Sequence, residues 1–280
     1  MNNKVKVICK KIDSIKPLKF GIIMLIVLIL IAIFAPSIST MDPNFLSEDL
    51  LATPSSKYLF GTDSLGRDVF SMVIYGARTS LKIGIVVALI SSIIGTLVGG
   101  ISGYIGGRVD KIISEILNMF MMVPTFFLMI TVIAVYGSNL NNMIIIMSLT
   151  SWTGTARLMR GQAIALRERT FIKSLKTIGA SNTSILFRHI IPNGISPIIA
   201  DATMTISSAI LSEAGLSFLG LGDPNAISWG KIIAYGKAYL PSNWWICIFP
   251  GVAIVFTVLS FYLIGEGMNH IMNPKLNDIN

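Results

Sequence analysis

The sequence predicts an all-α protein that crosses a membrane several times, and three observations carry that prediction. Apolar residues make up 53% of the 280 positions and charged residues only 13%, a balance that soluble domains do not show. Several apolar runs approach the ~20 residues needed to span hydrocarbon as a helix. The net charge of +8 is spread unevenly over alternate connecting segments, which argues for membrane orientation rather than nucleic-acid binding.

Taken in order, residues 1–19 form a basic N-terminal segment with six lysines. Residues 20–36 are the first transmembrane helix, an almost unbroken apolar run ending at Pro36. A cleaved signal peptide has similar flanks, but the run is long for one and Ala-Pro is a poor cleavage site, so the span is retained. Residues 37–79 are polar and turn-rich. Within them Asp63 or Ser64 is placed to cap a short interfacial helix bearing Val69, Phe70, Val73 and Ile74. Residues 80–268 form the core membrane domain, and 269–280 a short tail.

Five further spans are expected in that core: roughly Leu81–Tyr104, Ile112–Tyr136, Met143–Met159, Ile195 to about Leu211, and Trp244–Ile264. The first of these carries Gly84, Ser91, Ser92, Gly95, Gly99, Gly100 and Gly103, small residues that let helices approach closely. Pro124 should kink the second. With the N-terminus inside, the inner segments hold sixteen Lys and Arg and the outer segments five, Lys82 lying at a boundary. By the positive-inside rule both termini face the cytoplasm.

One polar, basic stretch interrupts the second half of the chain, Arg167 to Asn193. Phe171, Leu175 and Ile178 recur at i, i+4 and i+7, giving one apolar helical face with Lys173 and Lys176 turned away from it. Gly179 ends that helix, opening a Gly179–Ala180–Ser181 break. Ser181 or Asn182 then caps a second helix carrying Ile185, Leu186, His189 and Ile190, and Pro192 marks the turn into the next apolar run. A helix–glycine turn–helix between two spans fits a partner's groove. An amphipathic helix lying on the inner leaflet would not need the mid-element break.

No catalytic chemistry is visible. The glycine–lysine pairs at 230–231 and 236–237 are followed by Ile and Ala, so there is no Walker A loop, and neither a nucleophile elbow nor H-E-x-x-H occurs. Cys9 and Cys247 lie far apart without clustered histidines, which supports neither a disulfide framework nor a zinc site. A membrane protein with a docking element and no energy source of its own draws energy from a partner or from an ion gradient. The second case would use Asp201 and Glu115 as a proton relay. A signalling or scaffold membrane protein would need no acid at mid-span.

The stretch 167–193 resembles the coupling-helix loop of type I ABC importer permeases, through Gly179, Ile185 and Pro192–Asn193. The family's eponymous Glu-Ala-Ala is Lys173–Ser174–Leu175 in this chain. Phe60–Asp68 (FGTDSLGRD) and Ala214–Gly222 (AGLSFLGLG) resemble the second, C-type permease of the dipeptide/oligopeptide/nickel group, and the likeness runs from about residue 18 to 275. The resemblance implies a MetI-like fold of six transmembrane helices with a cytoplasmic coupling loop in a bacterial plasma membrane. It implies a heterodimer with a homologous permease, two cytoplasmic ATPases that bind the ATP, and an extracytoplasmic solute-binding protein. No cofactor is expected on this chain, and the cargo is a peptide, nickel or a metal chelate.

Four positions are candidates for the translocation path. Asp201 lies about nine residues past Pro192, hence ~13 Å along the helix and near mid-membrane. An acid there costs about 2.5–3.5 kcal/mol on insertion scales, so it contacts either a cationic solute or the partner permease. Glu213 is placed near the outer end of the same helix, at a gate or interface. Met122, with Met119 and Met121 beside Pro124, lines a soft-metal path or faces lipid as apolar filler.

Overall fold

The computed structural model describes residues 16–272; the basic stretch before Lys16, with Cys9, and the tail beyond Met272 lie outside the described residues. The chain runs through α1 (Lys16–Ile33), α2 (Ala35–Ile38), α3 (Val69–Ile105), α4 (Gly107–Met122), α5 (Thr125–Tyr136), α6 (Leu140–Arg167), α7 (Thr170–Thr177), α8 (Asn182–Phe218), α9 (Trp229–Gly236) and α10 (Trp245–Met272). The long helices α3, α6, α8 and α10 pack side by side, with α1 laid against α10.

Glycine sets the central contact. Gly95, Gly99 and Gly103 recur every four residues on α3 and press its backbone onto α6. A Cβ at Gly99 would stand 2.1 Å from the Ala156 carbonyl oxygen, and one at Gly103 2.4 Å from that of Arg160. Helices this close gain dispersion contacts along the whole seam, which is how spans associate where no water is available to be expelled. Gly84 makes a looser version of the same contact with Ile206 and Ile210 of α8. Helix α1 buries one stripe, Leu18, Gly21, Met24 and Leu28, half-buries its edges and exposes the opposite apolar face, as a span facing lipid would.

Four helices are long and apolar enough to cross a bilayer alone, namely α1, α3, α8 and α10, and a fifth span arises if α4 and α5 count as one. Those two are bent by 79° at Val123–Pro124, so the expected proline kink is a complete break. The expected span over Met143–Met159 lies inside α6, which at 28 residues is long enough but too polar to qualify by composition. Packed against α3 and α8, α6 faces protein over much of its circumference and does not need a lipid-compatible sequence there.

The separate interfacial helix expected before the second span does not exist. Val69, Phe70, Val73 and Ile74 form the first turns of the 37-residue α3, about 55 Å long and able to extend well beyond ~30 Å of hydrocarbon. Its cap is Asp68, whose carboxylate accepts the Ser71 N–H at 3.0 Å. Asp63 closes the preceding loop instead, accepting the N–H groups of Leu65 and Arg67, each at 2.9 Å.

Contacts far apart in sequence show which segments share an end of the bundle. At one end the Trp245 indole donates to the Thr62 carbonyl at 3.1 Å, and Asp223 accepts the Leu140 N–H at 2.9 Å. At the other, Arg167 donates to the Gly103 carbonyl at 3.3 Å, Tyr104 donates to Asn182 at 2.9 Å, and Leu18 lies against Gly267. The stretch 167–182 therefore sits at the end opposite the loops 39–68 and 219–244.

Candidate coupling segment and path residues

Helix α7 stops as its glycine dictates. Gly179 has φ +82°, its N–H donates to the Lys176 carbonyl at 3.1 Å, and the Ala180 N–H reaches back to Leu175 at 3.0 Å. That pair of bonds is a Schellman ending, which needs the left-handed conformation a glycine adopts without penalty. Ser181 caps the next helix, its hydroxyl accepting the Ser184 N–H at 3.2 Å. Of the two sequence candidates, Asn182 is left free for another contact.

The apolar face is not the expected one. Ile172 is fully buried and Leu175 partly so, whereas Phe171 is 45% and Ile178 78% exposed. Ile172 joins Ile185, Leu186 and Ile190 in one cluster with Tyr104 of α3 and Met159, Ala163 and Ile198 of the bundle. An eight-residue helix with adjacent Phe and Ile offers two candidate stripes, and periodicity alone does not choose between them. Each isoleucine withdrawn from water at this end contributes about 1.5–3 kcal/mol. The segment is thus anchored by one face and presents Phe171 and Ile178, with Phe187 half exposed, on the outside.

Pro192 does not turn the chain. It lies inside the continuous helix Asn182–Phe218, just past a π-helical stretch at Leu186–Ile190. That wider turn takes up the missing proline N–H, and the Asn193 side chain donates to the His189 carbonyl at 2.6 Å. Pro192 and Asn193 are both exposed. Beside α7, Lys173 pairs with Glu168 at 3.2 Å. The hydrogen bond from Lys173 holds the Glu168 carboxyl below its ordinary range.

The four path candidates do not converge. Asp201 and Glu213 are twelve residues apart on α8, ~18 Å along its axis. Asp201 is half-buried and accepts the Thr155 hydroxyl of α6 at 2.7 Å. That partner lies within the chain, and a threonine 46 residues away gives no sequence signal. Glu213 is buried, with Oε1 accepting the Ser217 and Ser228 hydroxyls at 2.6 Å each. It ties α8 to the start of α9. Pro124 and Met122, the latter 82% exposed, form the elbow between α4 and α5 on the outside of the bundle.

Sequence reasoning missed three polar clusters. Arg160 grips Asp110 through two bonds of 2.6 and 2.7 Å, joining α6 to the start of α4. At the far end Asp68 also accepts the Thr40 hydroxyl at 2.7 Å, and Arg67 pairs with Asp63 at 2.6 Å while lying 4.6 Å from the Tyr235 ring centre. A polar cavity of about 300 Å³ opens between these loops, lined by Asn44, Arg67, Asn225, Lys231 and Tyr235. Both of its cations are engaged within the chain, Arg67 by Asp63 and Lys231 by the carbonyls of Asp223 and Pro224. Among the described residues no group of three His, Cys, Asp or Glu gathers to hold a metal.

Residues 95–278 match the family described as binding-protein-dependent transport system inner membrane component. The chain belongs to that family. The permease is 44% identical over 252 residues to the glutathione transport system permease protein GsiD of Salmonella typhimurium, covering 89% of this chain and 83% of that one. It is 38% identical over 260 residues to the dipeptide transport system permease protein DppC of Alkalihalophilus pseudofirmus, covering 91% and 85%. In fold it is similar to a chain of the MetNI methionine ABC transporter in an inward-facing conformation, with TM-score 0.58, 20% identity, and coverage of 72% of this chain and 96% of that one. The permease is thus a transport subunit of an ABC importer and not an enzyme, which decides between an ATP-driven and an ion-gradient mechanism in favour of ATP.

Proposed function

We propose that the permease forms half of the translocation path of a peptide importer, with 170–190 as the docking element for a cytoplasmic ATPase. The observation that carries this is the two-sidedness of the segment: Ile172 and Ile185 are buried on the bundle while Phe171 and Ile178 stand outside it. An element gripped on one side and apolar on the other transmits force from whatever seats on it, and ATP-driven closure of paired ATPases supplies such a force. A homologous permease completes the path, two ATPases bind the ATP, and an extracytoplasmic binding protein delivers the solute. The uneven basic residues support a cytoplasmic docking end: sixteen fall on the segments expected inside and five on those expected outside.

A peptide cargo is favoured because the relatives named above transport glutathione and dipeptides. Asp201 engages Thr155, and in this reading it braces α8 against α6 instead of binding nickel. The test uses the permease reconstituted with its partner permease, ATPases and binding protein, and follows uptake of labelled dialanine, trialanine, glutathione and nickel. Peptide uptake and solute-stimulated ATP hydrolysis are expected, and Phe171→Ser/Ile178→Ser should abolish the stimulation at unchanged thermal stability. Nickel uptake without peptide uptake would overturn the cargo. Full stimulation in the double variant would overturn the docking role.

A further inference from the structure

Three consecutive residues at the end of α3 each hold a different element. The Ser102 hydroxyl donates to Asp110 of α4 at 2.6 Å, the Gly103 carbonyl accepts Arg167 of α6 at 3.3 Å, and the Tyr104 hydroxyl donates to Asn182 Oδ1 at 2.9 Å. Tyr104 is 4% exposed, its ring sits in the cluster with Ile172 and Ile185, and the Lys176 ammonium of α7 lies 5.2 Å from the ring centre. One side chain of α3 therefore meets both halves of the docking segment, α7 through Lys176 and the start of α8 through Asn182.

Connectivity gives this contact its meaning. Movement of the segment passes to α8 through the chain itself, because Asn182 begins that helix, and to α6 through the two residues 168 and 169. Helix α3 has no covalent link to the segment. We propose that Tyr104 and Asn182 are positioning residues for energy coupling: their hydrogen bond makes α3 follow the docking segment, so that ATPase closure drives α3 and α8 together instead of flexing the 178–181 turn. The bond is part-buried, with Asn182 itself exposed, and a hydroxyl bound to an amide oxygen is directional, so it orients the two helices in a way the surrounding isoleucines do not.

The inference rests on the docking role proposed above, and the experiment separates the two. In the assembled transporter, peptide delivered per ATP hydrolysed is measured with the same labelled peptides for Tyr104→Phe, Asn182→Ala, Asn182→Asp and the double variant Tyr104→Phe/Asn182→Ala. Tyr104→Phe keeps the ring, the Lys176 contact and the packing. The expected result is a transport-to-ATP ratio lowered at least about threefold, the factor one hydrogen bond of ordinary strength supplies, with solute-stimulated hydrolysis retained. Asn182→Asp keeps the acceptor and should restore the ratio lost in Asn182→Ala, and the double variant should be no worse than either single one, as for two members of one contact. An unchanged ratio in Tyr104→Phe would sink the inference, and so would additive losses. If Phe171→Ser/Ile178→Ser leaves hydrolysis fully stimulated, the docking role itself has failed and this inference falls with it.

Discussion

The loops at one end of the bundle and the segment 170–190 at the other are held by opposite means. At the end formed by residues 39–68 and 219–244, buried carboxylates do the joining: Asp63 with Arg67 and two backbone amides, Asp68 with Thr40 and Ser71, Glu213 with Ser217 and Ser228. At the other end an apolar plug of Ile172, Ile185, Leu186 and Ile190 holds the segment proposed to dock, with the Tyr104–Asn182 bond as its polar tie across to α3. Charged networks are unforgiving, because removing one partner strands the other in a low-dielectric site. An apolar plug tolerates sliding and rotation.

The largest effect should come from Asp63→Ala, which strands the Arg67 guanidinium and two backbone N–H groups at the capped end. A loss of about 3–5 kcal/mol is expected, read as a fall in the thermal transition of the purified permease, with the transition remaining cooperative. Survival of that transition within a degree would mean the network is ornamental. Ile172→Ala should come second and act locally. Truncating a buried isoleucine costs about 2–5 kcal/mol, but here the cost falls on the docking segment, so limited proteolysis should cut between 167 and 182 while the loops 39–68 stay protected. Cleavage at both ends together would show that the two ends are not independent.

The smallest effect sharpens the comparison from the capped end. Asp49 pairs with Lys57 at 2.6 Å and accepts the Tyr58 hydroxyl at 2.9 Å, but the ion pair is open to water. The hydrogen bond from Lys57, then that from Tyr58, hold its carboxyl below the ordinary aspartate range. A lowered carboxylate stabilises the folded state above its ordinary pKa, and the contribution disappears as pH falls through the lowered value. Asp49→Asn should therefore differ slightly from wild type in thermal stability near pH 7 and match it in strong acid. A difference as large as that of Asp63→Ala would contradict the view that burial, rather than charge count, makes this end rigid.

Much of the architecture was legible in the chain because a bilayer imposes a strict code. Long apolar runs, Pro124 as a bend, Gly179 as a stop, a cap at Ser181 or Asn182 and the uneven basic residues each follow from local rules that need no knowledge of the fold. The glycines of α3 were visible as small-residue positions, whereas the helix expected to start at Asp63 or Ser64 begins only at Val69. Tertiary structure decided what depends on neighbours. It set which of Phe171 and Ile172 is buried, since an eight-residue helix has two possible stripes and only the Tyr104–Met159–Ala163 surface chooses between them. It packed the more polar α6 against α3 and α8, so that much of its surface meets protein. It also gave Asp201 an internal partner in Thr155 and tied Tyr104 to Asn182. Side chains 46 and 78 residues apart meet only when helix packing brings them together, and no local pattern encodes that meeting.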